Sequence, residues 1–125
     1  MNEKLRLSPL PKTWILDLDG TLVKHNGYLL DGKDTLLPGV KEVFSQFGPE
    51  DMVLIVTSRD RRYQDITETF LQEQHIRYNA IIYNAPYGER IVVNDSKPSG
   101  LVMARAVPVQ RDQGVSFSFE VDRDL

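Results

Sequence analysis

The chain has 125 residues, with 15 Lys and Arg against 18 Asp and Glu, a formal charge of −3, and no cysteine. This composition is typical of a globular domain and excludes disulfides, thiolate metal sites and disordered or collagen-like chains. Without an overall basic field no nucleic-acid partner is expected, and the apolar runs are too short for a membrane span. We therefore expect a cytoplasmic protein with a single domain over residues 1–125 and a core over about 13–108.

Four short apolar segments along the chain predict β-strands, at residues 14–16, 52–56, 80–83 and 91–93. Apolar and polar residues do not alternate in these segments, which indicates strands covered on both faces, as in a parallel sheet between helices. This pattern is the main basis for predicting an α/β fold.

Helical spacing lies between the predicted strands. Val40, Val43, Phe44 and Phe47 fall on one helical stripe that follows Pro38, with Gly48 as a stop signal. A second helix is predicted from an Asp60 N-cap to about His75. Strands that alternate with helices in this way predict a Rossmann-like parallel sheet with helices on both faces.

Two segments fall outside this alternation. Residues 23–30 predict a small β-hairpin flap after the first strand, because Asn26 and Gly27 suit a type I′ turn. Apolar and polar residues alternate strictly from Val115 to Val121, which predicts a half-buried C-terminal strand at about 115–121. That strand is either an ordinary edge strand or a contact between subunits of a homo-oligomer.

Polar residues follow three of the predicted strands. Asp17 and Asp19 follow the first, Thr57 and Ser58 the second, and Asp95 the fourth. The carboxyl ends of parallel strands meet at one edge of a sheet, where α/β proteins bind ligands. A cluster of carboxylates without His or Cys favours Mg²⁺, so a magnesium site is expected at this edge.

Residues 14–22, which read WILDLDGTL, resemble the first motif of the haloacid dehalogenase-like (HAD) hydrolase superfamily. An EF-hand loop that starts at Asp17 is rejected, because its sixth and twelfth positions lack the required Gly and Glu. The resemblance implies that Asp17 is a nucleophile that forms an aspartyl-phosphate and that Asp19 is the general acid-base. It further implies that Asp17, the main-chain carbonyl of Asp19, and Asp95 hold Mg²⁺.

The same resemblance implies further contacts to a phosphate group. Thr57 matches a phosphate-binding hydroxyl, and Ser58 beside it is a further candidate for binding the substrate. The alternative is an N-cap role, in which Thr57, Ser58 or Asp60 caps the following helix. The cation of the third HAD motif has no clear match, because Arg90 precedes its strand and would lie about 16 Å from the site. Lys97 is expected to supply this cation, and Arg59 is the second candidate. The alternative for Lys97 is that it only forms a turn with the Pro-Ser-Gly residues that follow it.

Neither of the usual cap insertions fits between the motifs, so the resemblance describes a small capless member. It implies a Mg²⁺-dependent phosphomonoester hydrolase that acts on a small phosphorylated substrate, such as a sugar phosphate or another metabolite. The alternative is a catalytically weak or silent module that binds phosphate or has a regulatory role.

Overall fold

The computed structural model describes residues 4–125 and shows a small α/β protein with parallel strands in two sheets. The strands are β1 (Lys4–Leu7), β2 (Thr13–Asp17), β3 (Met52–Val56), β4 (Ala80–Ile82) and β5 (Ser118–Val121). The helices are α1 (Gly27–Leu30), α2 (Val40–Ser45) and α3 (Gln64–Glu73), and a 3-10 turn at Arg61–Tyr63 leads into α3. No helix within this range combines the length and the apolar character that crossing a lipid bilayer requires.

The main sheet has the order β2-β3-β4, and all three strands are parallel. Asp17 lies opposite Val56, and Val56 lies opposite Ile82, so the three strands end at one edge. The predicted strands at 14–16, 52–56 and 80–83 are confirmed, apart from small differences at their ends. This shared edge is what brings Asp17 close to Thr57.

The sheet is less completely covered than the sequence predicted. Val53 and Ile55 are fully buried, whereas Ile15 and Ile82 are about half exposed. The prediction that both faces are covered is therefore correct for one face and wrong for much of the other. The buried core consists of these residues: Leu16, Leu18, Leu22, Val23, Val40, Val43, Val53, Ile55, Leu71, Ile76 and Val115.

Both predicted longer helices are present. Val40 and Val43 are the buried residues of α2, as their spacing indicated. Asp60 caps the second helical segment, since its carboxylate accepts a hydrogen bond from the Arg62 backbone N–H. That segment ends at Glu73, just before His75 takes a positive φ of 58°.

The predicted hairpin flap at residues 23–30 is wrong. Asn26 has the positive φ that a type I′ turn needs, but Gly27 does not and instead begins α1. Val23 pairs with Leu36 in an isolated antiparallel bridge, so residues 24–35 form a longer excursion that we call the flap loop. Asn-Gly signalled a turn correctly, but the pairing that closes the excursion lies six residues further along the chain than a hairpin would place it.

The C-terminal strand is confirmed in its second half, as β5. It pairs in parallel with β1, a strand that the sequence did not predict, and together they form the second sheet. Trp14 joins the two sheets, because its ring stacks on Phe47 at 4.4 Å and contacts Phe119 at 5.2 Å between centroids. These aromatic contacts fix the C-terminal segment against β2.

The predicted strand at 91–93 is absent, although these residues lie within the described range. Residues 84–117 contain no strand or helix, and Ile91, Val92 and Val93 are 78%, 51% and 92% exposed. An apolar run indicates a tendency to be buried, but it does not specify a neighbouring strand for pairing. In this structure residues 91–93 pair with no strand of the described residues.

Candidate active site

The loop after β2 presents two carboxylates at the edge of the main sheet. The buried Leu18 between them accepts three backbone N–H groups at its carbonyl, from Thr21, Leu22 and Val23, which folds the loop into a tight turn. Asp17, at the last position of β2, accepts a hydrogen bond from the Thr21 hydroxyl at 2.9 Å. One carboxylate oxygen of Asp17 is thereby held in place, and the side chain remains 38% exposed.

Asp19 is held by a two-armed contact with Arg59, the third residue after β3. Arg59 Nη2 donates to Oδ1 of Asp19 at 2.8 Å, and Nε donates to Oδ2 at 3.3 Å. A planar guanidinium that bonds both oxygens fixes the plane of the carboxylate as well as its position. Arg59 is therefore placed to orient the Asp19 side chain.

Arg59 is itself buried, with a side chain that has no exposed area. It donates to both carboxylate oxygens of Asp34 at 2.9 and 3.0 Å and to the Thr67 hydroxyl at 2.8 Å, and it lies 3.8 Å from the centroid of the Tyr28 ring. Burial opposes its charge, but the hydrogen bonds to Asp34 and Asp19 outweigh that effect and raise the pKa of Arg59. The sequence proposed Arg59 as a substrate contact; the structure places its donors on protein acceptors.

Arg90 lies next to the predicted nucleophile, so the expectation that it is about 16 Å away is wrong. Its Nη1 is 3.4 Å from Oδ1 of Asp17 and 3.3 Å from the carbonyl oxygen of Val56. The error came from treating residues 90–95 as an extended strand that runs toward the site, with Arg90 at its far end. In the structure this segment is not in the sheet, and residues 87–90 line the cavity instead.

Thr57 and Ser58 follow β3 at the same edge. The buried Thr57 hydroxyl accepts the Arg59 backbone N–H at 3.0 Å, which leaves its own hydrogen free to donate. Ser58 donates to the carbonyl of Pro86 at 3.2 Å and so ties the β3 loop to the segment that carries Arg90. Thr57 lines the cavity, as a phosphate contact requires, and the following helix is capped by Asp60 rather than by Thr57.

Asp95 and Lys97 do not join this group of residues. Both are exposed, and neither lines the cavity that contains Asp17 and Asp19. Lys97 instead begins a turn, in which its carbonyl accepts the Gly100 N–H at 2.8 Å. Within residues 4–125 no cluster of three or more His, Cys, Asp or Glu is arranged to hold a metal ion. The three-ligand Mg²⁺ site that the resemblance implies is thus only partly present, through Asp17 and Asp19.

The cavity at the sheet edge has a volume of about 610 Å³ and is lined by acids, arginines and aromatic rings. This size suits a small molecule or the end of a larger one. Four acidic and four arginine side chains line it, which balances the local charge: Asp17, Asp19, Asp60, Glu89, Arg59, Arg62, Arg90 and Arg111. Carboxylates beside arginines suit a reaction in which an acidic group attacks an anion that the arginines bind.

The sequence analysis missed two residues that line the cavity, Tyr28 and Arg111, and also Asp34, which is buried against Arg59. Asp34 and Tyr28 come from the flap loop, and Arg111 comes from the C-terminal segment. None of them directly follows a predicted strand, whereas the site residues were predicted from their positions at strand ends.

The comparisons with known proteins give structural neighbours but no family. No match is found to a known family model or to a curated protein. This chain is similar to a chain of the Pnkp1/Rnl/Hen1 complex, with 30% identity and a TM-score of 0.50 over 66% of its length. It is equally similar, over 65% of its length, to a chain of the Pnkp1/Rnl/Hen1 RNA repair complex. The chain spans about a third of the length of these neighbours, 31% and 28%.

The expectation of no nucleic-acid partner is contradicted by these neighbours, which come from an RNA repair complex. That expectation was drawn from the net charge of −3, which averages over the whole surface. A nucleic-acid end needs only a local site for its phosphate, and four arginines line the cavity here. A net negative charge therefore does not exclude binding of a nucleic-acid end at this cavity.

Proposed function

We propose that this chain is a phosphomonoester hydrolase that works through an aspartyl-phosphate on Asp17. The observation that carries the proposal is the arrangement at the sheet edge. Asp17 is accessible and lies beside Arg90. Asp19, two residues after Asp17 in the same loop, is oriented by the buried Arg59. An accessible acid beside a fixed acid and a cation is what double displacement at phosphorus needs.

In the first step, an Asp17 carboxylate oxygen attacks phosphorus, and the bond from phosphorus to the leaving oxygen breaks. Asp19, in its protonated form, gives its proton to that oxygen, which leaves as an alcohol. In the second step, Asp19 takes a proton from water as the water oxygen attacks phosphorus. The acyl-phosphate bond then breaks, which releases phosphate and restores the Asp17 carboxylate.

Arg90 and Thr57 would assist by binding the phosphoryl group. Arg90 lies 3.4 Å from Asp17, so a phosphate that approaches this carboxylate also approaches a guanidinium. That cation reduces the repulsion between the anionic nucleophile and its anionic substrate. Thr57 keeps a free hydroxyl hydrogen for a phosphoryl oxygen, as proposed from its place after β3.

Magnesium dependence is part of the proposal, and the geometry supports two of the three expected ligands. Mg²⁺ is commonly held by one or two carboxylates together with substrate phosphate oxygens and water. Asp17 and the main-chain carbonyl of Asp19 are available for this, whereas Asp95 lies outside the cavity. When bound, the ion would offset negative charge on the phosphoryl group, but the steps above are derived from the protein groups alone.

We further propose that the domain is a Rossmann-like, capless unit and that its substrates include phosphorylated ends of RNA. The parallel sheet with its site at the strand ends supports the first point. The RNA repair complexes from which the neighbours come, together with an open cavity that contains arginines and Tyr87, support the second. Because the chain covers about a third of those neighbours, assembly with further domains or proteins belongs to the same proposal.

The test is hydrolysis of an aryl phosphate and of an oligoribonucleotide with a terminal phosphate, each with and without Mg²⁺. Wild type, Asp17→Asn and Asp124→Asn are compared, the last as a control in the exposed C-terminal segment. We expect turnover in wild type and Asp124→Asn and its loss in Asp17→Asn. Turnover that survives in Asp17→Asn rejects the nucleophile. No turnover of either substrate favours the silent phosphate-binding module instead.

A further inference from the structure

The segment around Arg111 is fastened to the loop that carries the two carboxylates. The Asp112 backbone N–H donates to the carbonyl of Gly20 at 2.9 Å, and the carboxylate of Asp112 accepts the His25 backbone N–H at 2.7 Å. These bonds join residues that are about ninety positions apart in the sequence. The C-terminal segment is therefore built into the edge of the cavity rather than lying loosely over it.

A close backbone contact fixes the chain a second time, shortly after Asp112. The Val115 N–H donates to the carbonyl of Pro38 at 3.0 Å, and Val115 is part of the buried core. Gly114 has a φ of +87°, and a Cβ there would lie 2.2 Å from the Pro38 oxygen. Only glycine fits this conformation and this approach. Arg111 is thus followed directly in the chain by residues whose backbone is anchored.

The Arg111 side chain lies against the backbone of Gly20, directly after Asp19. A Cβ built on Gly20 would lie 3.1 Å from Cγ and 3.7 Å from Nε of Arg111. The glycine therefore makes room for Arg111, a residue that lines the cavity together with Asp17 and Asp19. The aliphatic part of the side chain is positioned by packing, although the residue as a whole is exposed.

Arg111 differs from the other two arginines at the carboxylates in having no protein acceptor. Arg59 bonds Asp19 and Asp34, and Arg90 contacts Asp17. Among residues 4–125, no hydrogen-bond acceptor or carboxylate partner is in contact with the Arg111 guanidinium. A positioned guanidinium with free donors in a cavity is suited to bind an anion, and its planar fork matches two oxygens of a phosphate group.

We propose that Arg111 is a phosphate-binding residue of this site, supplied by the C-terminal segment. Its ligand is the phosphoryl group of a phosphate monoester or free phosphate, which its donors contact while Asp17 faces phosphorus. This inference rests on the proposed function for its role in turnover, but binding of phosphate by Arg111 does not require hydrolysis. The two are therefore tested by different measurements.

The experiment measures binding of inorganic phosphate by calorimetry, and KM and kcat for the aryl phosphate. Wild type, Arg111→Ala and Arg111→Lys are compared with Arg105→Ala, an exposed arginine outside the cavity. We expect Arg111→Ala to raise the dissociation constant for phosphate and KM by about 10- to 100-fold, which is typical of losing a charged hydrogen-bonded contact. Lysine should recover part of that loss, and Arg105→Ala should match wild type.

Thermal unfolding of the same variants separates binding from folding, and Arg111→Ala should unfold like Arg105→Ala. Phosphate affinity and KM that are equal in Arg111→Ala and Arg105→Ala overturn the inference, as does a wild type that binds no phosphate. A wild type that binds phosphate through Arg111 but hydrolyses neither substrate supports the inference and rejects the proposed hydrolase. Each result therefore decides the role of Arg111 independently of catalysis.

Discussion

Arg59 and Asp34 form a two-armed ion pair that is almost completely removed from solvent. Both terminal nitrogens of Arg59 donate to Asp34, at 2.9 and 3.0 Å, and the side chains are 0% and 4% exposed. Since one of these nitrogens also bonds Asp19, the pair connects the flap loop to the proposed acid-base. The flap loop and the end of β3 together determine where the Asp19 carboxylate points.

Asp34→Asn is expected to destabilise the fold and to reduce turnover. The change keeps the side-chain shape but leaves the buried Arg59 with one carboxylate instead of two, which we expect to cost about 3 kcal/mol. Urea denaturation at neutral pH measures this change. Asp31→Asn is the matched control, because Asp31 pairs with Lys24 on the surface, and such pairs contribute about 1 kcal/mol or less. Equal unfolding free energies for the two variants would contradict the structural role of the buried pair.

Gly114→Ala is expected to be more destabilising than Gly32→Ala. Both glycines have positive φ, +87° and +74°, so both substitutions strain the backbone by about 1–2 kcal/mol. At Gly114 the new Cβ would also meet the Pro38 oxygen at 2.2 Å, whereas no atom lies within 4 Å at Gly32. Thermal unfolding measures the difference. If the variants unfold at the same temperature, the tight contact that holds the Arg111 segment is not formed in solution.

Phe119→Ala is expected to loosen the C-terminal strand from the main sheet. The Phe119 ring contacts Trp14 at 5.2 Å, and Trp14 is the one tryptophan in the sequence, so its fluorescence reports on this contact. We expect a loss of about 2–3 kcal/mol in unfolding free energy, since the ring is only partly buried, and a red shift of the native emission. Val121→Ala on the same strand is the control, because Val121 is half exposed. An unchanged emission in Phe119→Ala would show that the two sheets do not meet at Trp14.

Much of the main sheet could be predicted from the sequence because its signals are local. The apolar runs at β2 and β3, the helical stripe of α2 and the Asp60 cap each depend on neighbouring residues, and the structure contains all of them. The meeting of Asp17 and Thr57 followed from parallel pairing alone. These elements needed no knowledge of distant contacts.

The rest depends on pairings between distant parts of the chain, which no local pattern specifies. β1 is a strand because it meets β5, more than a hundred residues away, and a four-residue segment gives little signal by itself. The strand predicted at 91–93 had the right composition, but it has no partner edge in the structure. Arg90 and Arg111 reach the cavity for the same reason, since irregular segments carry them there.

Asp51 provides a test of stability against pH, because its carboxylate holds several donors together. Burial opposes its ionisation, but hydrogen bonds from the Lys12 N–H, the Trp14 indole and the Gly48 N–H outweigh that effect and lower the pKa of Asp51 below its ordinary 3.8. A carboxyl whose pKa is lowered by folding stabilises the protein above its unfolded-state pKa. That contribution disappears as the pH falls through the lower pKa of the folded state.

We therefore expect Asp51→Asn to unfold more easily than wild type at pH 7, by about 1–2 kcal/mol, because the amide replaces a charged acceptor. The difference should persist down to about pH 4 and shrink at lower pH, where the wild-type carboxyl becomes protonated. Urea denaturation at several pH values measures it, and the exposed Glu50→Gln, next to Asp51 in the sequence, controls for the general loss of negative charge. A difference between wild type and Asp51→Asn that stays constant from pH 7 to about pH 2 would mean that the Asp51 carboxylate is not stabilised in the folded state. In that case the effect of Asp51→Asn on stability would come from the geometry of its hydrogen bonds and not from the charge of the carboxylate.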